Sequence, residues 1–85
     1  MKYLLRVSST FERELRRVAP AYRERSWSMI QRIQEDPYAY KLLAGQLAGT
    51  RSARIGSVRI IYAVDEPKKM VILLHIGYRE RVYGR

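Results

Sequence analysis

Apolar residues in the first half of the chain recur at helical spacing after one short strand. The pattern predicts a strand over residues 2–7, and any of the hydroxyl residues at 8–10 can cap the helix that follows. Pro20 suits the opening turn of a second helix, which the Asp-Pro pair at 36–37 ends. The apolar stripe of the first amphipathic helix consists of Phe11, Leu15, Val18 and Ala19.

The second helix has its own stripe, and the segment after it is richer in glycine. Trp27 is slightly off the stripe and is expected at the edge of the core, with a partner contact as the alternative. Residues 37–50 are predicted to hold a turn of helix around 39–43 and then a loop through Gly45 and Gly49. The stripe consists of Tyr22, Met29, Ile30 and Ile33.

From residue 51 the pattern changes to strands. A hairpin turn at 66–69 separates the middle pair of strands. One strand, two helices and a run of antiparallel strands predict an α+β fold, in which a two-helix hairpin packs on a small, mainly antiparallel twisted sheet. With 85 residues, the chain is expected to form one domain over residues 1–85. The predicted strands are 51–55, 57–64, 70–76 and 80–83.

The first hairpin of this region places two arginines together. Gly56 and Ser57 suit a type II′ turn, which takes glycine at its first central position. That register sets Arg54 directly opposite Arg59, on the face away from the apolar pairs. Like charges opposite each other destabilise a sheet by about 0.2–1 kcal/mol, and an anionic ligand would reverse that sign. The apolar pairs are Ile55 with Val58 and Ala53 with Ile60.

The charge of the whole chain also favours an anionic ligand. The net charge is +9, and thirteen of the seventeen basic residues are arginine, whose planar fork of donors matches phosphate. This excess favours a polyanionic partner, nucleic acid above all. The plainer alternative is a solvated surface whose arginines pair with carboxylates. From residue 45 onward, however, eight basic residues face only Asp65, Glu66 and Glu80, so pairing cannot neutralise them.

Several kinds of chemistry have no residues to support them. The chain has no cysteine, no phosphate-binding glycine loop and no metal-ligand spacing, so no metal and no cofactor are expected. His75, alone in an apolar strand, is expected to be structural, with no obvious acid to orient it. Catalysis would therefore depend on electrostatic stabilisation of a charged transition state. Apolar runs too short for a signal peptide or a bilayer span predict a cytoplasmic protein without membrane contact.

The order of these pieces resembles the RelE/ParE superfamily of bacterial and archaeal toxins. The likeness covers the strand-helix-helix opening, the loop LAGQLAGT, the phrase RIGSVRIIY and the closing GYRERVY. Toxins of the RelE branch are endonucleases that cut messenger RNA in the ribosomal A site, and a cognate antitoxin holds each one inactive. The ParE branch shares the fold, binds DNA gyrase and lacks the nuclease residues.

Carried onto this chain, the resemblance implies four catalytic residues. Arg59 would be the transition-state arginine and Arg54 the basic residue of the neighbouring strand. Arg79 would act on the leaving group, and Tyr83 is the terminal tyrosine. In an extended segment, Arg81 would share a face with Arg79 and Tyr83 and so contribute to RNA binding.

The chain also departs from the family at two positions. Ser52 stands where many members have a second basic residue, and Arg51 is shifted to the neighbouring face. Tyr78 stands where the family often has histidine, and its ring could replace one base-stacking group with another. With Arg81, these three residues are the predicted RNA-binding set.

The resulting hypothesis is a RelE-like, metal-independent endoribonuclease of a type II toxin–antitoxin system. Its partners would be mRNA on the ribosome and an antitoxin, in a heterodimer or heterotetramer. The RNA's own 2′-hydroxyl would attack the adjacent phosphate, and Arg54 and Arg59 would hold the phosphorane oxygens. Two alternatives stay open: a ParE-like inhibitor of gyrase without enzymatic activity, and a plain nucleic-acid-binding domain.

Overall fold

The computed structural model describes residues 2–78, in which two helices pack on one face of a five-stranded sheet. The sheet order is β1-β5-β4-β3-β2, with β1 parallel to β5 and the other neighbours antiparallel. This arrangement confirms the predicted α+β fold. The elements are β1 (Leu4–Val7), α1 (Ser9–Leu15), α2 (Pro20–Glu35), β2 (Lys41–Leu42), β3 (Arg51–Ile55), β4 (Val58–Asp65) and β5 (Met70–Tyr78), with a 3₁₀ turn at Gly45–Leu47.

The starts of both helices follow the local rules that predicted them. Ser8 is the N-cap of α1, and its Oγ accepts a hydrogen bond from the Phe11 N–H at 3.0 Å. Pro20 opens α2, where its missing N–H costs no intrahelical hydrogen bond. Asp36 is the C-cap of α2. Pro20 therefore determines where α2 begins.

The first helix is shorter than its apolar stripe predicted. It ends at Leu15, and of the two stripe residues beyond it Val18 is buried whereas Ala19 is exposed. The reason lies in α2: the Arg23 guanidinium donates to the carbonyl oxygens of Arg16 at 2.9 Å and Val18 at 3.2 Å. These bonds satisfy carbonyl groups beyond the end of α1, so the chain turns toward α2 without further helix.

The helical turn predicted around residues 39–43 is wrong. Lys41–Leu42 forms the short edge strand β2, which pairs with the first two residues of β3. The Leu43 N–H continues the pairing by donating to the Thr50 carbonyl at 2.9 Å. Strand pairing across the glycine-bearing loop thus overrides the helical preference of alanine and leucine in this segment.

The two helices and one face of the sheet enclose the core. Tyr62 is fully buried there, and its hydroxyl donates to the Pro37 carbonyl at 2.6 Å, while burial raises the pKa of this tyrosine. The core therefore contains a polar group that is hydrogen-bonded. Its buried members are Phe11, Val18, Ile30, Ile33, Ala53, Ile55, Val58, Ile60, Tyr62, Val71, Leu73 and Ile76.

The predicted stripe of α2 faces this core, with two differences in detail. Ser26 is fully buried in the middle of the stripe, where its hydroxyl donates to the Tyr22 carbonyl at 2.6 Å. Trp27 was expected at the edge of the core and is instead 43% exposed, outside the packed cluster. The back-bond to the preceding turn explains how a serine is tolerated at a position that the apolar spacing assigns to hydrophobic residues.

The predicted β4–β5 hairpin is confirmed, and its turn is held by one carboxylate. Glu66 accepts hydrogen bonds from the Lys69 ammonium and the Tyr38 hydroxyl, and from the Tyr3 hydroxyl at 2.8 Å. These donors, Lys69 first, lower the pKa of Glu66 from 4.5 to about 2. The turn is thereby tied to the chain before β1 and after α2.

None of the helices within residues 2–78 combines the length and the hydrophobicity that a membrane span requires.

Candidate nucleic-acid interface

The β3–β4 hairpin has the register that its sequence predicted. Gly56 takes a φ of +58°, whereas φ at Ser57 is not positive, as a type II′ turn requires. Arg54 consequently lies directly opposite Arg59 in the antiparallel pair. The turn residues thus determine that the two arginines are neighbours.

Alternation along β3 and β4 gives the pair a distinct surface. The residues on either side of Arg54 and Arg59 belong to the core beneath the helices, so the arginines lie on the opposite side of the sheet. The next pair on that side is Ser52 with Ile61, which are 6% and 0% exposed. We call this surface, formed by Ser52, Arg54, Arg59 and Ile61, the arginine face.

The electrostatics of the arginine face favour an anion. Cβ atoms of directly opposite residues are about 4.5–5.5 Å apart, and side chains of like charge in such a pair repel each other. Arg54 is exposed and Arg59 is half-buried, so the pair extends from solvent into the surface. A phosphate group placed between the guanidinium groups would replace their repulsion by charge-assisted hydrogen bonds.

Ser52 adds a hydroxyl to this face, at the position where many members of the family that the sequence resembles have a basic residue. It lies two positions from Arg54 on the same side of β3, and it is nearly buried against the opposite strand. On the arginine face, the predicted site is therefore one nearly buried hydroxyl beside two arginines.

Arg51 lies apart from the arginine face, on the helix side of β3. Its guanidinium donates to the carbonyl oxygens of Tyr38 at 3.3 Å and Tyr40 at 2.8 Å. It also lies 5.0 Å from the centre of the Tyr38 ring, a cation–π distance. Through these contacts Arg51 fixes the segment after α2 on the helix side, away from Ser52 on the arginine face.

Tyr78 also lies on the helix side. It is opposite Val58 at the end of β5, and its ring packs edge-on against Tyr22 with centroids 6.3 Å apart. The Ala19 N–H donates to its hydroxyl at 3.3 Å. The ring that was predicted to stack on a base is thus used to support the start of α2. The remaining predicted residues, Arg79, Arg81 and Tyr83, lie outside the described residues, as does the strand predicted at 80–83.

His75 has an acid partner that sequence reasoning did not find. The Glu14 Oε1 lies 3.3 Å from His75 Nδ1 and accepts a hydrogen bond from the Ile76 N–H at 3.1 Å. One carboxylate thus joins α1 to β5, beyond the last residue that pairs with β1. The expectation that His75 lacks an orienting acid is therefore wrong. No local pattern could have indicated this contact, because the two residues are 61 positions apart.

Comparisons with known proteins agree with this geometry. Residues 5–83 match the family described as the ParE toxin of the type II toxin–antitoxin system parDE. The toxin RelG of Mycobacterium tuberculosis is 33% identical over 89 residues, which cover all of both chains. The chain therefore belongs to the RelE/ParE superfamily of toxins from type II toxin–antitoxin systems.

Solved structures extend the likeness to three dimensions. A chain of the RelBE2 toxin–antitoxin complex of M. tuberculosis aligns with a TM-score of 0.85 and 28% identity, over 93% of each chain. A chain of the intact RelBE complex of Escherichia coli aligns with a TM-score of 0.79 and 21% identity, over 93% of this chain and 99% of the other. The archaeal RelE–RelB complex of Pyrococcus horikoshii gives a TM-score of 0.75 at 22% identity, over 95% and 99%. The last two likenesses concern the fold alone.

Proposed function

We propose that this toxin is an endoribonuclease that cleaves mRNA, in the ribosomal A site, without a metal ion. The observation that carries the proposal is the Arg54–Arg59 pair, which the hairpin register places on the face away from the helices. Two neighbouring guanidinium groups are suited to a dianionic phosphorane, because charge develops there in the transition state. The similarity to the RelE-type relatives supports the same activity.

The proposed reaction needs no external nucleophile. The 2′-hydroxyl of the RNA loses its proton as its oxygen attacks the adjacent phosphorus, the bond to the 5′-oxygen of the next nucleotide breaks, and that oxygen takes up a proton. The products are a 2′,3′-cyclic phosphate and a free 5′-hydroxyl. Arg54 and Arg59 hold the non-bridging oxygens. An arginine, with a pKa above about 12, is a poor general base, so the ribosome or the RNA supplies a proton carrier.

The family resemblance assigns the remaining roles. Arg79 offsets the charge on the leaving oxygen, and Tyr83 orients the scissile nucleotide or assists proton transfer. Both roles stay predictions, as does the RNA contact of Arg81. The RNA contacts predicted for Arg51 and Tyr78 also stay predictions, and both side chains lie on the helix side, away from the Arg54–Arg59 pair.

We also propose that an antitoxin regulates this activity in the cytoplasm. The solved relatives from M. tuberculosis, E. coli and P. horikoshii are toxin–antitoxin complexes. A chain with a net charge of +9 is suited to an antitoxin that covers the arginine face with acidic or apolar residues. A heterodimer or heterotetramer of toxin and antitoxin would then be the inactive form.

A second candidate follows from the family match itself, whose description names ParE. A ParE-type toxin would inhibit DNA gyrase and leave RNA intact. Purified toxin should therefore be assayed in parallel, in a reconstituted translation reaction with primer extension and in a gyrase supercoiling reaction. The proposed function predicts new 5′ ends in the translated message and unimpaired supercoiling. Impaired supercoiling with an intact message would establish the second candidate instead.

A further inference from the structure

A cavity of about 370 Å³ lies where α2 passes the β3–β4 turn. β2 pairs only with the first two residues of β3. Within residues 2–78, the side of β3 that faces away from β4 therefore has no neighbouring strand over 53–55. The cavity therefore opens at the margin between the helix side of the sheet and the arginine face. Its lining includes Arg25, Ser28 and Arg32 from α2, Arg54 from β3, and apolar walls from Met29 and Ile55.

The charge of this cavity is entirely positive. Three of its lining residues are arginines, and none is acidic. Among residues 2–78, neither Arg25, Arg32 nor Arg54 forms an ion pair with a carboxylate. Positions 25, 28 or 29, and 32 share one side of a helix, so α2 presents both of its arginines to the same space. Such a concentration of like charge is stabilised when an anion occupies the cavity.

Contacts within the protein hold two of these guanidinium groups in place. The Arg25 guanidinium lies 5.2 Å from the centre of the Tyr22 ring, and the Tyr22 hydroxyl is 3.4 Å from Ser57 Oγ in the turn. Arg54 Nε donates to the Gly56 carbonyl at 3.0 Å, which directs this side chain along the turn. Part of the entropy that ordering the two arginines would cost a ligand is therefore already lost in the free protein.

We propose that Arg25, Arg32 and Arg54 form a second phosphate site, which binds an RNA phosphodiester group beside the one that is cleaved. The inference rests on the proposed function, because Arg54 belongs both to the arginine face and to the cavity. An RNA strand whose scissile phosphate lies at Arg54 and Arg59 continues around this edge of the sheet. Guanidinium forks match phosphate oxygens, and the apolar walls can accommodate ribose. The two α2 arginines, Arg25 and Arg32, thus add affinity without contributing to the chemical step.

Binding of an uncleavable RNA tests this site separately from catalysis. The probe is a short fluorescent RNA with a single 2′-deoxy nucleotide at the scissile position, and anisotropy is measured between about 50 and 200 mM salt. The test variant is Arg25→Gln/Arg32→Gln. The matched control is Arg13→Gln/Arg17→Gln, which removes the same charge from exposed positions outside the cavity. Far-ultraviolet circular dichroism verifies that both variants fold.

The cavity variant should bind at least about 10-fold more weakly than wild type. Its slope of log affinity against log salt should be shallower by about 0.7 for each RNA phosphate that the variant no longer neutralises. The control should change affinity by less than about 3-fold, because screening weakens distant charges. Equal reductions in the two variants would overturn the site. Unchanged RNA binding with weakened antitoxin binding would also overturn it, and would assign the cavity to an acidic protein segment.

The two proposals can fail independently. If wild type cleaves translated mRNA but the cavity variant binds the probe as wild type does, only the second phosphate site is wrong. If wild type binds the probe through the cavity but never cleaves a message, the site stands as an RNA-binding site and the proposed nuclease activity is wrong.

Discussion

The two faces of the β3–β4 hairpin differ in their packing and in their proposed role. On the helix side, Ala53, Ile55, Val58 and Ile60 are at most 6% exposed and belong to the core. On the arginine face, the residues between them include the Arg54–Arg59 pair, which repels itself across the strands. Side chains alternate along a strand, so a single register fixes both faces. Stability and the proposed activity therefore depend on the same turn but on different residues.

The largest effect is expected on the helix side. Ile60→Ala removes a fully buried side chain from the core and should lower the free energy of unfolding by about 2–5 kcal/mol. Since 1 kcal/mol corresponds to roughly 4–8 °C in a domain of this size, the melting temperature should fall by at least about 8 °C. Urea denaturation followed by circular dichroism measures the change. A decrease below about 1 kcal/mol would mean that the core is not packed as described.

Substitution of Arg59, the residue before Ile60, should affect cleavage and not stability. Arg59→Ala removes a group proposed to stabilise the transition state, so cleavage should fall by roughly 10²–10³-fold or more. The melting temperature should stay unchanged or rise slightly, because a like-charge pair is relieved. The control is Arg13→Ala, an exposed arginine of α1 that should change neither quantity. A fall in melting temperature comparable with that of Ile60→Ala would make Arg59 a structural residue.

The turn that links the two faces should show a smaller, distinguishable effect. Gly56→Ala places a side chain at a φ of +58°, which costs about 1–2 kcal/mol, and its Cβ would lie 3.1 Å from the Tyr22 hydroxyl oxygen. Gly49→Ala is the matched control, because its φ is +89° but nothing lies within 4 Å of the added Cβ.

Gly56→Ala should therefore be the less stable of the two variants in urea, and it alone should weaken cleavage by disturbing the Arg54–Arg59 register. Equal stability and equal activity in the two variants would show that the contact between the turn and Tyr22 is unimportant.

The smallest effect concerns acid. The pKa of Glu66 is lowered to about 2 in the folded chain, so its contribution to stability is complete above pH 4.5 and disappears as the pH falls from 4.5 towards 2. Melting temperatures of wild type and Glu66→Gln should converge as the pH is lowered from about 5 to about 3. Parallel curves would argue against the hydrogen bonds from Tyr3, Tyr38 and Lys69.

Sequence reasoning was most successful where the cause is local. A hydroxyl cap within residues 8–10, Pro20 as a helix start and Gly56 as the first central residue of a type II′ turn each act on their immediate neighbours. Each of these predictions is confirmed, with Ser8 as the cap. The opposition of Arg54 and Arg59 then followed from the register that this turn sets, and their position on one face followed from alternation.

Most of the differences from prediction depend on partners outside the local segment. The strand at Lys41–Leu42 exists because β3 is available to pair with it. The Glu14–His75 contact and the cavity between α2 and β3 arise only when the helices pack on the sheet. Arg51 looked like part of a basic strand, but its position on the helix side gives it backbone carbonyl groups to bind. Pattern and charge cannot distinguish a guanidinium bound in this way from one that is available to RNA.

If the arginine face cleaves RNA by using the RNA's own 2′-hydroxyl, removal of that hydroxyl must stop the reaction. The most direct test compares two messages in a reconstituted translation reaction, one natural and one with a single 2′-deoxy nucleotide at the mapped cleavage position. We predict cleavage of the natural message, with a 2′,3′-cyclic phosphate at the new 3′ end, and no cleavage at the substituted position. Equal cleavage of both messages, or cleavage of neither while gyrase is inhibited, would contradict the proposed mechanism.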